Sequence, residues 1–407
     1  MPATQIDVTV HHELTDRLVD ARRSSDALLA LVRVEALYER PIPERNRIIF
    51  YLGHLEAFDW NLFHERVFGA KSFHPEFDRL FAFGIDPVGG GLPTDQPSAW
   101  PQLNAVRDYV ARVRTALDGN LSSGILESAD RRFDGVPLSV LLNVAIEHRL
   151  MHVETLAYML HQLPYEQKFR HSDPPSPAPP RVAHRMVDVP AGNVVLGLRR
   201  SAKDFGWDNE FESHTVAVPA FSIDQYKVTN GQYAEFIAAG GYESRSLWSD
   251  ADWDWKAVHG IFHPVFWKRT GDRWLYRAMF DDVPLPIDSP VYLSHAEAAA
   301  YARWVGKALP TEAEWQRAAC ATPENALELH GMFGGGWEWT SSVFSPFPGF
   351  QPFSFYRGYS ADFFDGKHFV TKGGSPVTAD CMLRPSFRNW FQPHYQYVYS
   401  GFRCVSR

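Results

Sequence analysis

The sequence predicts a helical bundle followed by an irregular α+β domain, and three observations carry that reading. Apolar residues recur at helical spacing through residue 163, a proline-rich segment interrupts the chain at 171–180, and the remainder is rich in aromatic side chains, turn residues and strand-like alternation. At 407 residues the chain exceeds the roughly 100–200 residues that one core usually organises, so two cores are expected.

The apolar periodicity falls in four stretches, 10–37, 45–69, 100–121 and 137–163, which together suggest an antiparallel four-helix bundle. The connection at 70–99 is long and rich in Gly and Pro, and connections of that length are usually functional, so it is expected to roof a site. The segment HSDPPSPAPP carries five prolines and no large apolar side chain, which reads as an extended, semi-rigid linker. The expected organisation is therefore a bundle over 1–170, a linker over 171–183 and a second domain over 184–407. In that second domain short helices are expected at 230–240 and 295–306, separated by long irregular stretches. No fixed-period repeat is present, so a solenoid or propeller is not expected.

Composition narrows the function classes. Hydrophobic residues at 45% and charged residues at 22% match soluble globular chains, and no run approaches the roughly 20 apolar residues of a membrane span. The start, MPATQIDVTVHHEL, lacks the basic and apolar regions of a secretory signal, so a cytoplasmic, membrane-free protein is expected. A net charge of −8 without a dense Lys/Arg run argues against a nucleic-acid partner. Cys320, Cys381 and Cys404 are an odd, widely spaced set without a CxxC pair, which fits reduced thiols rather than a disulfide framework.

The main chemical signal is EHRLMHVET, where His148 and His152 stand four apart and share one helix face. His54 in YLGHLEAFDW is a third candidate, because metal sites in bundles are assembled from facing helices. Three histidines leave coordination positions open for reactants, whereas a structural zinc site is closed by four protein ligands. A His pair at this spacing also occurs as plain helix decoration. Glu154 is open as a ligand, as an acceptor that orients an imidazole or as a plain helix-surface acid, with the latter two preferred, and His64, His74 and His161 are read as ordinary histidines.

The pattern His-x3-His-x-Glu with an upstream helical His resembles the metal-binding signature of the DinB-like bundle in ergothioneine-type sulfoxide synthases. Downstream, YKVTNGQYAEFI, ALPTEAEWQRAA, GGGWEWTSS, YSADFFDGKHFV and RPSFRNWF resemble the formylglycine-generating-enzyme fold, which is C-type-lectin-like. The resemblance covers nearly the whole chain, and the pairing of the two domains is its specific part. It implies an Fe(II) enzyme, with His54, His148 and His152 as ligands, that uses O2 to join a chalcogen to imidazole C2 of hercynine, the betaine of histidine. It also implies that Asn389 holds the substrate carboxylate and that Trp390 attracts the trimethylammonium group by a cation–π contact. Plain strand packing is the alternative for both.

Departures from the family pattern bear on the donor. Where relatives resemble one another in carrying Gln before the second helix histidine, this chain has Met151, so a polar substrate contact is lost or moved. The loop LFAFGIDPVGG, which in many members holds a tyrosine pair, has Phe83, Gly84 and Ile85, and no tyrosine occurs from 79 to 95. Phe391 stands where enzymes using γ-glutamyl-cysteine have Asp, and GGSP at 373–376 replaces GGS plus an aromatic residue. These changes favour the selenoneine synthase branch, with a selenosugar donor. The alternative is an ergothioneine sulfoxide synthase using cysteine or γ-glutamyl-cysteine. The catalytic acid is not identified; Tyr356, Tyr395 and Tyr397 are possible replacements, and Arg79, Arg384 and Arg388 are possible donor contacts. A zinc-dependent thiol transferase, a formylglycine-generating activity and a non-enzymatic binding module are further readings. The second of these would need paired cysteines, for which Cys381 and Cys404 make no case from spacing.

Overall fold

A computed structural model describes residues 5–82, 92–122, 131–170, 185–200, 204–320 and 327–407, with side chains from residue 13 in the first helix. The chain divides into two compact units, Met1–Ser172 and Asp173–Arg407. The expected linker and the loop positions Phe83, Gly84 and Ile85 lie outside the described residues.

The first unit contains α1 (Gln5–Leu29), α2 (Ile48–Phe63), α3 (Pro75–Leu80), α4 (Leu103–Leu121) and α5 (Leu138–Gln162). A small hairpin of β1 (Arg132–Phe133) and β2 (Val136–Pro137) leads into α5. Helix α1 packs along α5, α2 packs along α4, and α2 also meets α5 and α3. Two expectations are corrected. The first helix ends at Leu29, not near 37, and the chain passes through a short 3-10 turn at Val34–Ala36. The 70–99 connection contains α3, where Pro75 occupies the first turn and His74 accepts from the Phe77 N–H at 3.3 Å. Beyond it, Asp95 accepts from Arg47 at 2.9 Å and from Trp100 Nε1 at 2.7 Å, and also pairs with Arg40.

The second unit opens with β3 (Met186–Val189), β4 (Gly192–Leu196), β5 (His214–Val218) and β6 (Phe221–Asp224), then α6 (Asn230–Ala238) and α7 (Asp250–His259). It continues through β7 (Trp267–Thr270), β8 (Arg273–Arg277), β9 (Asp282–Pro284), α8 (His295–Trp304) and α9 (Glu312–Ala319). Last come β10 (Gly336–Val343), β11 (Phe369–Gly374), β12 (Asn389–Phe391), β13 (Ser400–Gly401) and β14 (Val405–Ser406). The largest sheet has the order β12-β11-β10-β13, with β13 parallel to β10 and the other pairings antiparallel. A core of Val189, Leu196, Phe221, Ile223, Trp315 and Val405 joins α9 to the strands around it.

Helices α6 and α8 fall where expected, each opened by a reciprocal capping box, Thr229 with Gln232 and Ser294 with Glu297. Helices α7 and α9 were not anticipated, although their start signals are present. Ser249 caps α7, Gly260 ends it in the left-handed region at φ 64, and Thr311 with Glu314 forms the box of α9. Buried ion pairs tie the irregular stretches down: Arg388 to Glu312, Arg384 to Glu210, and Arg403 with Lys227 to Glu338.

Candidate metal centre and substrate strand

Helices α2 and α5 bring His54, His148 and His152 together. One ligand nitrogen from each lies within 4.8 Å of the others, and this is the metal-type cluster found among the described residues. The three are 1%, 2% and 7% exposed. His54 Nε2 lies 3.0 Å from His152 Nε2, while His54 Nδ1 lies 2.6 Å from the Phe81 carbonyl. A carbonyl only accepts, so Nδ1 of His54 carries the proton and Nε2 presents its lone pair to the cluster. That contact needs either a proton on His152 or a shared cation.

A cation fits. Two imidazole nitrogens bonded to one ion at about 2.1 Å each and at right angles lie about 3.0 Å apart, which matches the His54–His152 spacing. Backbone capture of the remote ring N–H is also the usual support of a metal-ligating histidine. Burial pushes His54 down to about 4, only partly offset by the Phe81 carbonyl, with Arg149 lowering it further. His148 falls well below its ordinary value through burial and the neighbouring His152 and His54, and His152 through burial, His54 and Arg45. All three rings are therefore neutral at pH 7, as metal ligation requires.

Each imidazole is backed by an aromatic ring of α2. Phe50 stacks on His54 at 4.8 Å, Phe58 on His148 at 3.4 Å and 11°, and Tyr51 sits 5.6 Å from His152. Because Tyr51 meets His152 and Phe58 meets His148, the two helices run in opposite directions. Beside the histidines, Arg149 is fully buried and donates to Glu56 at 3.0 Å, Asp59 at 2.7 Å and the Leu55 carbonyl at 2.8 Å. Arg114 of α4 adds a 2.7 Å bond to Glu56 and a bidentate pair with Asp26 of α1. Burial alone would raise Glu56, but Arg149 and Arg114 hold it below the ordinary carboxylate range. Helical spacing alone does not single these supports out. Their signal is present in FYLGHLEAFDW, where aromatic and acidic residues fall at helical spacing around His54.

Two of the histidines read as ordinary are engaged elsewhere: His64 bonds the Trp60 carbonyl at 2.9 Å, and His74 caps α3. Glu154 is buried but lies outside the clustered ligands. Met151 is half-buried on α5, next to His152.

In the second unit, β12 presents Asn389, Trp390 and Phe391, all half-buried. The register pairs Thr371 with Asn389, Val370 with Trp390 and Phe369 with Phe391. Strand alternation thus sends Asn389 and Phe391 to one face and Trp390 to the other. Trp390 stacks on Phe344 at 4.2 Å and 8°, with Tyr359 and Phe363 at 5.4 and 5.5 Å. Asn389 Oδ1 accepts from the Trp390 N–H at 3.0 Å, and Phe391 stacks on Tyr395 at 5.6 Å. Arg384 and Arg388 spend their forks on Glu210 and Glu312, whereas Arg79 is exposed. Cys320, Cys381 and Cys404 form no disulfide with one another and are exposed, half-buried and buried respectively.

This pairing of a histidine-bearing helical unit with an irregular α+β unit defines an enzyme of two fused domain types. The DinB superfamily matches residues 17–156, and the sulfatase-modifying factor enzyme 1-like domain matches 172–323 and 320–407. The hercynine oxygenase of Mycolicibacterium thermoresistibile is 30% identical, covering 99% of this chain and 96% of its own. That of Mycolicibacterium smegmatis is 34% identical, covering 96% and 98%. Ergothioneine biosynthesis protein 1 of Neurospora crassa is 27% identical over 91% of this chain and 55% of its own length. The chain belongs to the hercynine oxygenase family. Among the described residues no helix is long and apolar enough to cross a membrane.

Proposed function

We propose that His54, His148 and His152 hold Fe(II), and that the chain catalyses O2-dependent formation of a carbon–selenium bond at imidazole C2 of hercynine, with a selenosugar as donor. The observation that carries the reading is the convergence of three buried, neutral imidazoles, one of them fixed by the Phe81 carbonyl. Bound iron would supply the site for O2 and for the soft chalcogen anion, and with it the oxidising power of the reaction. The protein's part is to hold and orient. The three histidines would hold the ion and, as only three protein ligands, would leave coordination positions for reactants, while Phe50, Tyr51 and Phe58 keep the imidazoles from turning. Of the two substrate residues that the resemblance implies, Trp390 is kept as the contact for a quaternary ammonium, while Asn389, which β12 turns to the opposite face, is left to strand packing.

Phe391 supports the selenosugar over a charged thiol donor. It places an apolar ring, stacked on Tyr395, where the resemblance puts Asp in enzymes that use γ-glutamyl-cysteine. Arg384 and Arg388, already bonded to glutamates, add no spare cation for a carboxylate-bearing donor. A neutral sugar needs neither charge. Parallel reactions with Fe(II), hercynine and either a selenosugar, cysteine or γ-glutamyl-cysteine, in air and under argon, test the reading by product mass spectrometry. A selenium product formed only in air is expected. A sulfoxide product alone returns the enzyme to the ergothioneine branch, and equal turnover under argon removes the O2 chemistry.

A further inference from the structure

We propose that Gly53 and Phe81 act as one positioning device for His54, an inference that rests on the metal reading of the three histidines. Gly53 lies in the middle of α2 and is buried, where glycine costs about 1 kcal/mol relative to alanine, so its presence calls for a reason. The reason is contact. A Cβ at position 53 would lie 2.7 Å from three atoms of the Phe81 ring, Cδ1, Cδ2 and Cε1, so the ring lies flat on the bare helix backbone. Phe81 is 0% exposed and is hemmed in by Phe50, Phe77, Trp100 and Tyr109, with ring centroids 5.5 to 6.3 Å away, so it has no room to retreat.

Phe81 is also the residue whose carbonyl receives the Nδ1–H of His54 at 2.6 Å. Its ring is thus seated by position 53 and its backbone oxygen orients position 54. The absence of a side chain at 53 sets where that oxygen stands, which sets the tautomer of His54 and the direction of its Nε2. Any Cβ at 53 displaces the ring, carries the carbonyl with it and loosens the imidazole. A one-methyl change that touches no ligand therefore weakens metal binding.

Co(II) titration of the full chain, followed by its visible ligand-field spectrum, tests this. Gly119→Ala is the control, because Gly119 is exposed in α4 and an added Cβ meets nothing within 4 Å. Gly53→Ala is expected to weaken Co(II) binding at least tenfold and to alter the spectrum, while Gly119→Ala matches the wild type. Phe81→Ala removes the seat without adding atoms and is expected to weaken Co(II) as well, so it carries the test should Gly53→Ala not fold. In Gly53→Ala with Phe81→Ala the clash is gone, and binding should be no weaker than in Phe81→Ala alone. Wild-type affinity and spectrum in Gly53→Ala or Phe81→Ala, with only a lower melting temperature, would overturn the proposal, as would strictly additive losses in the double variant. Failure of the wild type itself to bind Co(II) would instead remove the metal reading, and this inference with it.

Discussion

Arg149 and Asp59 form a fully enclosed ion pair, 2.7 Å between Nη2 and Oδ2, with both side chains 0% exposed. Asp59 stands five residues after His54, and Arg149 stands between His148 and His152. The pair therefore fixes how α2 sits against α5, and with it the distance between the histidines those helices carry. Arg149→Met leaves Glu56 and Asp59 buried without their main counter-ion, and breaking a pair of this kind from one side costs about 3–5 kcal/mol. Urea denaturation should show that loss. A variant as stable as the wild type would mean that the carboxylates take up protons without penalty.

His54→Ala, His148→Ala and His152→Ala should each lose stoichiometric iron and all turnover. His64→Gln should retain both, because His64 bonds the Trp60 carbonyl and stays out of the cluster. Metal content by mass spectrometry, normalised to folded protein, measures this. Full iron in His54→Ala would detach that helix from the site.

Trp390→Leu should raise the KM for hercynine by roughly tenfold, in line with a cation–π contact of about 0.5–2 kcal/mol, and leave kcat nearly unchanged. Trp390→Phe should recover part of the loss. Because Trp390 also stacks on Phe344, melting temperatures must accompany the kinetics. A fall in stability with KM unaltered would make the indole a packing residue only.

Phe391→Asp installs a carboxylate on the face of β12 that also carries Asn389. The ratio of kcat/KM for a selenosugar to that for γ-glutamyl-cysteine should drop by about tenfold, equal to about 1.4 kcal/mol in differential transition-state binding. Competition between the two donors in one vessel reads the ratio directly, and an unchanged ratio would remove Phe391 from donor selection.

Asp208 supplies a pH signature. Burial pushes its carboxyl up to about 6, against bonds from Ser360 at 2.5 Å and from the Phe353 N–H. The folded chain therefore holds a proton that the unfolded chain releases near its ordinary value of 3.8. The stability from this group is complete below 3.8 and is lost as pH rises through 6, a difference of about 3 kcal/mol. Asp208→Asn should remove that component, so the wild-type minus variant stability should decline between pH 4 and 6 and stay flat above 7. A difference that rises over that window would reverse the sign.

The spacing of His148 and His152 was readable because a helix places residues four apart on one face, and the same rule located all but the ends of the four long helices. Helix ends were less legible. The first helix stops at Leu29 although apolar periodicity continues, since Ala36 and Leu37 are buried from a turn rather than from the helix. Helices α7 and α9 are short and their apolar stripes brief, so in the sequence only their caps announce them. Similarly, Asn389 and Trp390 are neighbours in sequence, but the register of β12 on β11 turns their side chains to opposite faces.

By itself the sequence determined the two-part organisation, the histidine pair of α5 and the family to which the chain belongs, because periodicity, motif spacing and composition are local properties of the chain. Only the tertiary structure decided that His54 completes the cluster with Phe81 fixing its tautomer, and that Arg149 braces the helix beside it. Those relations join residues 27 to 98 positions apart. Their strength comes from removing charges and ring nitrogens from water, a condition that exists once the helices have packed and that no stretch of sequence expresses alone.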